Sequence, residues 1–351
     1  MADDTAEFYS ISAEQLFEET AKRDIITCSL ATDIALGGGI PLGCTVLIGG
    51  KAKLGKTTIS LQFGANAQNK YGSKIFYFNI EGRLSKLVLS QIQGIKLDKD
   101  HFEVVMPPVI TDKKGNVIGY KKVGSNYWWA KIGQVISENP KSVVIVDSIA
   151  ALSSEKEVSE GMGYQGRGDG QKLEAQFCRK YGDIIVPNRV TVFLLTHIQA
   201  NTSGYGPPVQ IKAGNAVKHT ADIILFGKTA EKWKEQDGRI LGHDMIYNVE
   251  CSALGPPHTE MRVPLRYGTG IDVIKDIITQ CINWEIIKKA GAWYTIPFTE
   301  KDGKIEFIEQ SDDKEIKLLK FQGEDNIRNW LLIRPNETKI LEDIIRKKIF
   351  G

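Results

Sequence analysis

Residues Gly50-Lys-Ala-Lys-Leu-Gly-Lys-Thr57 set two glycines, a lysine and a threonine in the spacing G-x-x-x-x-G-K-T, directly after the apolar run at 45–49. That spacing does phosphate chemistry. Gly50 and Gly55 let the backbone turn tightly, so that the turn amides and those of the following helix N-terminus point at an anion. Lys51, Ala52, Lys53 and Leu54 fill the turn. Lys56 adds a point charge near the β- and γ-phosphates, the Thr57 hydroxyl suits Mg2+, and Thr58 continues the nucleotide-contacting stretch. A chance Gly-Lys turn would lack the flanking context of a strand before the loop and an amphipathic helix over 57–68 after it. The expected ligand is ATP with Mg2+.

Nucleotide hydrolysis needs further acids and bases. Asp147 ends the apolar run 143–147, where a carboxylate reaches Mg2+ through water; its alternative is a strand-end Asp capping the next helix. Glu81 follows the run 75–79 and would orient and deprotonate a water for in-line attack; equally, it reads as a solvated loop residue. His197 follows the run 190–196 and would hydrogen-bond the γ-phosphate, against a purely structural role. Two Gly-rich loops, 159–170 and 199–212, each follow a strand bearing one of these candidates. Each pairs an aromatic with a cation, Tyr164 with Arg167 and Tyr205 with Lys212, a mixture suited to backbone contact and base stacking on single strands. Flexible loops without a ligand are the alternative.

The elements that must position these groups alternate along the chain. Strand-like runs at 45–49, 74–79, 143–147, 190–196, 222–226 and 245–251 are separated by helical segments, and runs apolar on both faces predict an α/β fold with a mainly parallel central sheet. A helical arm at 13–22 precedes them. Val109-Ile110 and Val117-Ile118, flanking a Lys-Gly-Asn turn, predict an inserted β-hairpin. After Gly270 a helix over 272–289, a Gly-Ala-Trp-Tyr strand and helices near 324–332 and 337–348 form a smaller α/β region. The expected division is a contact arm at 1–29, an ATPase core at 30–270 and a C-terminal domain at 271–351.

Composition bounds the rest. The 351 residues carry 45 Lys+Arg against 43 Asp+Glu, so nucleic-acid contact must come from local patches and not from total charge. Five scattered cysteines without C-x-x-C spacing fit buried thiols in a reducing compartment better than disulfides or zinc. The acidic N-terminus has no apolar leader and no run is long enough to span a bilayer, which gives a cytoplasmic, non-membrane expectation.

The blocks Leu30-Ala-Thr-Asp-Ile-Ala-Leu-Gly-Gly-Gly39, the P-loop, Asp147-Ser-Ile-Ala-Ala-Leu152, Ala213-Gly-Asn-Ala-Val-Lys218 and Lys289-Ala-Gly-Ala-Trp-Tyr294 occur in an order and spacing that resemble the RecA recombinase family, and within it the UvsX-type phage branch. The resemblance runs from about residue 29 to 289 and more loosely to the end. It implies a RecA-type P-loop core with Glu81 as catalytic glutamate, acting with Lys56 and His197. The two Gly-rich loops would be DNA-binding, with Gly214 and Asn215 beside the second. The arm would pack on the next protomer, giving a homo-oligomeric helical filament on single-stranded DNA that hydrolyses ATP in response to DNA. Pairing and strand exchange with double-stranded DNA would follow, aided by single-strand-binding and loader proteins and, for a phage protein, in the host cytoplasm. A ring-forming motor and a non-catalytic mediator are the other readings. Several positions depart from the bacterial pattern: Asn79 for Asp, Val88 for the adenine-stacking Tyr, His197 for Gln and His219 for an interface Phe. Glu250 and Ser252 replace the lysines that reach a neighbour's ATP, which leaves Arg262, Arg266 and the loop lysines as candidates for that charge. Lys51 and Lys53 are unusual within a P-loop.

Overall fold

The computed structural model describes residues 10–16, 24–160, 169–201, 206–234, 237–308 and 317–351. Strands β1 (Thr45–Gly49), β2 (Ile75–Asn79), β3 (Phe102–Val105), β4 (Val143–Asp147), β5 (Thr191–Thr196), β6 (Ile223–Lys234), β7 (Ile240–Cys251), β8 (Thr259–Arg266) and β9 (Gly270–Ile271) form one nine-stranded sheet in the order β9-β8-β7-β6-β1-β5-β4-β2-β3. From β6 to β3 all neighbours run parallel, whereas β7, β8 and β9 are added antiparallel. This is the expected mainly parallel α/β sheet.

Helices cover both faces. The main helices of the described residues are α1 (Leu30–Leu36), α2 (Lys56–Tyr71), α3 (Ser125–Glu138), α4 (Asp169–Ile185), α5 (Asn215–Thr220), α6 (Val273–Asn283), α7 (Glu324–Leu332) and α8 (Pro335–Phe350), the last two in the C-terminal region. The period-two alternation of strand side chains divides the core. Val46, Ile48, Tyr77, Ile145 and Phe193 pack with Ile59 and Phe63 of α2. Leu47, Phe78, Val144, Val146 and Leu194 meet Trp128 and Ile132 of α3 and Phe177 of α4 on the opposite face. A third cluster joins Ile277, Cys281, Tyr294, Ile327, Leu331, Leu341 and Ile345 to Leu30, so α1 packs on the C-terminal helices with one side.

The structure corrects several expectations. The helix after the P-loop is not amphipathic: Ser60, Gln62, Gly64 and Gln68 are buried together with its apolar residues, because the sheet and the 91–101 segment enclose it. Gln62 and Gln68 hydrogen-bond the backbone of Gln93 and Lys96 there. The expected helix over 272–289 stops at Asn283, since Glu285 is left-handed at φ 59° and the amides of Ile286 and Ile287 turn back to the Cys281 carbonyl. Residues Lys288–Ala290 instead pair with Trp293–Thr295 in a small antiparallel sheet. Strands β6 and β7 extend well beyond 222–226 and 245–251, because they form one long hairpin. Strands β3 and β8 carry no apolar run strong enough to read from the sequence. The insertion is a hairpin, Val109–Thr111 against Val117–Tyr120. Of the expected arm helix, residues 13–16 are helical, and the remainder lies outside the described residues.

Candidate nucleotide site and its connection to the loops

The P-loop joins β1 to α2 in the middle of the sheet. Leu54 is its anchor, buried in the core, while Lys51, Ala52 and Lys53 face outward. The buried Tyr247 donates a hydrogen bond to the Leu54 carbonyl at 3.2 Å and pins the turn from β7. Gly55 is required twice: its φ is 88°, and a Cβ there would lie 2.0 Å from Met245 Sδ. Lys56 is 7% exposed, and its ammonium donates to the Gly50 and Lys51 carbonyls at 3.0 and 2.9 Å. Burial lowers its pKa, against the opposing pull of Asp147 and Glu81. The Thr57 hydroxyl donates to Asp147 Oδ2 at 2.7 Å, and the Tyr77 hydroxyl donates to the same oxygen at 2.6 Å. Thr58 lies one residue further into α2, half-buried.

One hydroxyl and one carboxylate, both hard oxygen donors, suit Mg2+, which keeps water and phosphate oxygens as its remaining ligands. Among the described residues no cluster of three or more His, Cys, Asp or Glu offers a closed metal cage. A buried lysine at the start of α2, facing loop carbonyls and backed by helix amides, suits a polyphosphate.

Glu81 lies just past β2, next to Asp147: the amides of Ile80 and Glu81 both donate to the Asp147 carbonyl, at 3.0 and 3.1 Å. Its Oε1 accepts from the Ser148 hydroxyl and sits 3.1 Å from His197 Nε2, while Arg83 Nε is 3.5 Å from Oε2. Burial pushes the Glu81 carboxyl up, but Ser148, His197 and Arg83 together outweigh it and hold the group below its ordinary value. Asn79 accepts the Leu84 amide at 3.3 Å and so closes the loop that carries Glu81.

The second Gly-rich loop is tied to this cluster. Thr196 Oγ1 donates to the Lys212 carbonyl at 2.6 Å and the Lys212 amide donates to the His197 carbonyl at 2.9 Å, so both ends of that loop are fastened at His197. Lys212 is exposed, Gly214 caps α5, and Asn215 opens it on the surface. The Gly214 amide donates to Glu174 Oε2 of α4 at 2.6 Å. Tyr164, Arg167 and Tyr205 lie outside the described residues.

The structure therefore brings Lys56, Thr57, Asp147, Glu81 and His197 together at the C-terminal ends of the parallel strands. Sequence reasoning missed Tyr77, Ser148 and Glu174. Ser148 had a signal in its position directly after Asp147; Tyr77 and Glu174 had none, because a strand tyrosine and a helix glutamate look ordinary until their partners are known. Val88 packs on the core beside Leu89 and Ile95. Two of the candidates for charge toward a neighbour's site are occupied within the chain, Arg262 by Glu231, Asp244 and Glu260 and Arg266 by Asp272, whereas the loop lysines Lys51, Lys53 and Lys212 are exposed. Ser252 donates to the Leu36 carbonyl at 3.3 Å and accepts the Gly255 amide at 3.0 Å, a turn-holding role.

A P-loop at the end of a central parallel strand, with a carboxylate on each of two neighbouring strand ends, defines a P-loop ATPase. Known proteins specify which kind. Residues 27–164 match the KaiC ATPase family model and residues 130–272 the model for the RecA N-terminal domain. Protein RecA of Sulfurovum sp. (strain NBC37-1) is 30% identical over 274 residues, 77% of this chain and 73% of the relative. Protein RecA of Dichelobacter nodosus is 29% identical over 96% of this chain and 87% of its own length, and that of Nitratiruptor sp. 28% over 92% and 83%. The chain belongs to the RecA family. RecA-family proteins are DNA-dependent ATPases that use ATP with Mg2+, and this chain is an enzyme of that class.

Proposed function

We propose that the protein is an ATP-dependent recombinase that assembles on single-stranded DNA as a helical filament and exchanges strands with a homologous duplex. The observation that carries this reading is the chain of contacts from Glu81 through His197 to Thr196 and Lys212, which links the hydrolytic carboxylate to a loop of DNA-binding composition. ATP with Mg2+ supplies the phosphoanhydride that is cleaved. The P-loop amides and Lys56 hold and neutralise the phosphates, and Thr57 with Asp147 holds the metal. The Glu81 carboxylate, steadied by Ser148 and His197, takes the proton of the attacking water. His197 senses the γ-phosphate and passes its presence to the second loop through the bonds at Thr196 and Lys212. Nucleotide and DNA therefore favour the same loop arrangement, and each raises affinity for the other.

In this reading Tyr164, Arg167, Tyr205, Lys212, Gly214 and Asn215 contact DNA. The segment 1–29 is the protomer contact, 30–270 the core, and 271–351 the C-terminal domain. His197 and the Glu-Cys-Ser at 250–252 support the UvsX-type phage branch, and with it a cytoplasmic place of action in a host. No helix among the described residues is long and apolar enough to cross a membrane. Single-strand-binding and loader proteins are the expected partners.

The test is Lys56→Ala. It should abolish ATP-dependent filaments on single-stranded DNA, seen by negative-stain imaging, together with the ATPase. Retained ATP-stimulated strand exchange in that variant would sink the proposal, and closed rings without pairing activity in the parent protein would replace it with a motor.

A further inference from the structure

The inserted hairpin is absorbed by none of the roles above. Its strands Val109–Thr111 and Val117–Tyr120 pair only with each other. A lone two-stranded ribbon has little stability in water, and this one exposes Val109, Ile110, Val117, Ile118 and Tyr120, with Ile118 66% exposed. Its turn is preformed: Asp112 Oδ1 accepts the amides of Lys114 and Asn116 at 2.8 and 2.9 Å, Oδ2 accepts Asn116 Nδ2 at 3.0 Å, and Gly115 takes φ 84°. The segment 109–122 carries Lys113 and Lys114 at the tip and Lys121 and Lys122 at the base, with Asp112 as its one acid. That acid is engaged by its own turn. Among the described residues none of the four lysines has an ion-pair partner.

The placement is also informative. The hairpin leaves the C-terminal end of β3, on the same side of the sheet as the C-terminal ends of β2, β4 and β5, which carry Glu81, Asp147 and His197. At its base Met106 Sδ lies 3.8 Å from Asn79 Nδ2, and Asn79 holds the Glu81 loop.

We propose that this hairpin is a second DNA-contacting element, a ribbon that enters a groove of double-stranded DNA. Four lysines without an ion-pair partner on one short ribbon, whose single acid is engaged by its own turn, call for a polyanion, and a second copy of this chain is the alternative that the self-association measurement separates. The tip and base lysines are separated by the four residues of Val117–Tyr120, roughly 13 Å of strand. A B-DNA major groove, about 12 Å wide, admits a two-stranded β-ribbon. Lysines at both ends then reach phosphates on the two sides of the groove, and the exposed Val and Ile side chains meet sugars and thymine methyls.

The test replaces Lys113, Lys114, Lys121 and Lys122 with Ala in the full chain and titrates a labelled duplex across salt concentrations. Single-strand binding, single-strand-stimulated ATPase and sedimentation are measured in parallel. The expected result is duplex affinity about tenfold weaker and a salt slope shallower by up to about 3.6, or roughly 0.9 for each phosphate no longer neutralised. Single-strand-stimulated ATPase and self-association should be unchanged. A second variant, with the hairpin replaced by a short Gly-Ser turn, should show the same duplex defect. Unchanged duplex affinity and slope in the lysine variant would overturn the proposal. So would loss of self-association with duplex binding intact, which assigns the hairpin to a second copy, or an equal loss of single-strand binding. If the parent ATPase ignores single strands, the recombinase reading fails while the duplex titration still decides the role of the hairpin.

Discussion

Glu81 lies between a hydroxyl, an imidazole and a guanidinium, and that environment fixes both its direction and its charge. Held below its ordinary value, the carboxylate is ionised in neutral and mildly acidic solution, so on the proposed base role of Glu81 the acid limb of turnover lies below the ordinary glutamate range. Glu81→Gln keeps the shape and removes the basicity. It should lower kcat by about 10²–10⁴ while ATP and DNA binding persist, and steady-state ATPase with filter binding checks both. Tyr77 is one bond further out. Its hydroxyl, whose own pKa burial pushes far up, serves only as a donor to Asp147 Oδ2. If Asp147 holds the metal as proposed, Tyr77→Phe should raise the Mg2+ concentration for half-maximal turnover by about tenfold with little change in ATP-saturated kcat, since it removes an outer partner of that carboxylate.

The elements turn these contacts into a coupled unit. Helix α4 begins directly after the first Gly-rich loop, and through Glu174 it holds the amide of Gly214, where the second loop returns to α5. Burial pushes the Glu174 carboxyl up, and the Gly214 amide opposes that shift. One helix thus follows the first loop in the chain and holds the return of the second. Glu174→Ala leaves a buried amide without its acceptor, at a cost of about 1–3 kcal/mol. The DNA-free ATPase rate should be within about twofold of the parent while most of the stimulation by single-stranded DNA is lost, measured as the ratio of the two rates at saturating ATP.

Across the whole molecule, the C-terminal helices are locked to the core by buried charge. Arg346 of α8 donates to Asp33 of α1 at 2.8 Å, and Asp276 of α6 accepts the Ala31 amide at 3.0 Å. Burial raises both acids to about 6, and for Asp33 it outweighs the nearby Arg346. A carboxyl whose folded pKa lies above its unfolded value binds more protons when folded. These two acids therefore add stability as pH falls from about 7 toward 4, and remove it as pH rises through 6. Arg346→Ala strands the Asp33 charge and should cost about 3–5 kcal/mol at pH 8. The loss should shrink near pH 5, where Asp33 is protonated, and urea melts at the two pH values test this. Asp272, paired with Arg266 and Arg328, is held below its ordinary value and matters only in stronger acid.

The sequence by itself determined the P-loop, the carboxylate ending the strand at 147, the hairpin and the parallel sheet, because each rests on local chemistry: a fixed spacing, a strand end, a turn, a run apolar on both faces; Glu81 it left equally readable as a loop residue. Only the tertiary structure decided that α2 is buried nearly all round, that α6 stops at Asn283, and that β3 and β8 join the sheet, since those depend on what encloses a segment and not on its own pattern. It also decided which partners the site has. Tyr77, Ser148 and Glu174 reach Asp147, Glu81 and Gly214 across 70, 67 and 40 residues of chain. Hydrogen bonds between strands and helices distant in sequence leave no periodicity to read, whereas the phosphate loop closes within eight residues and writes its chemistry into their order.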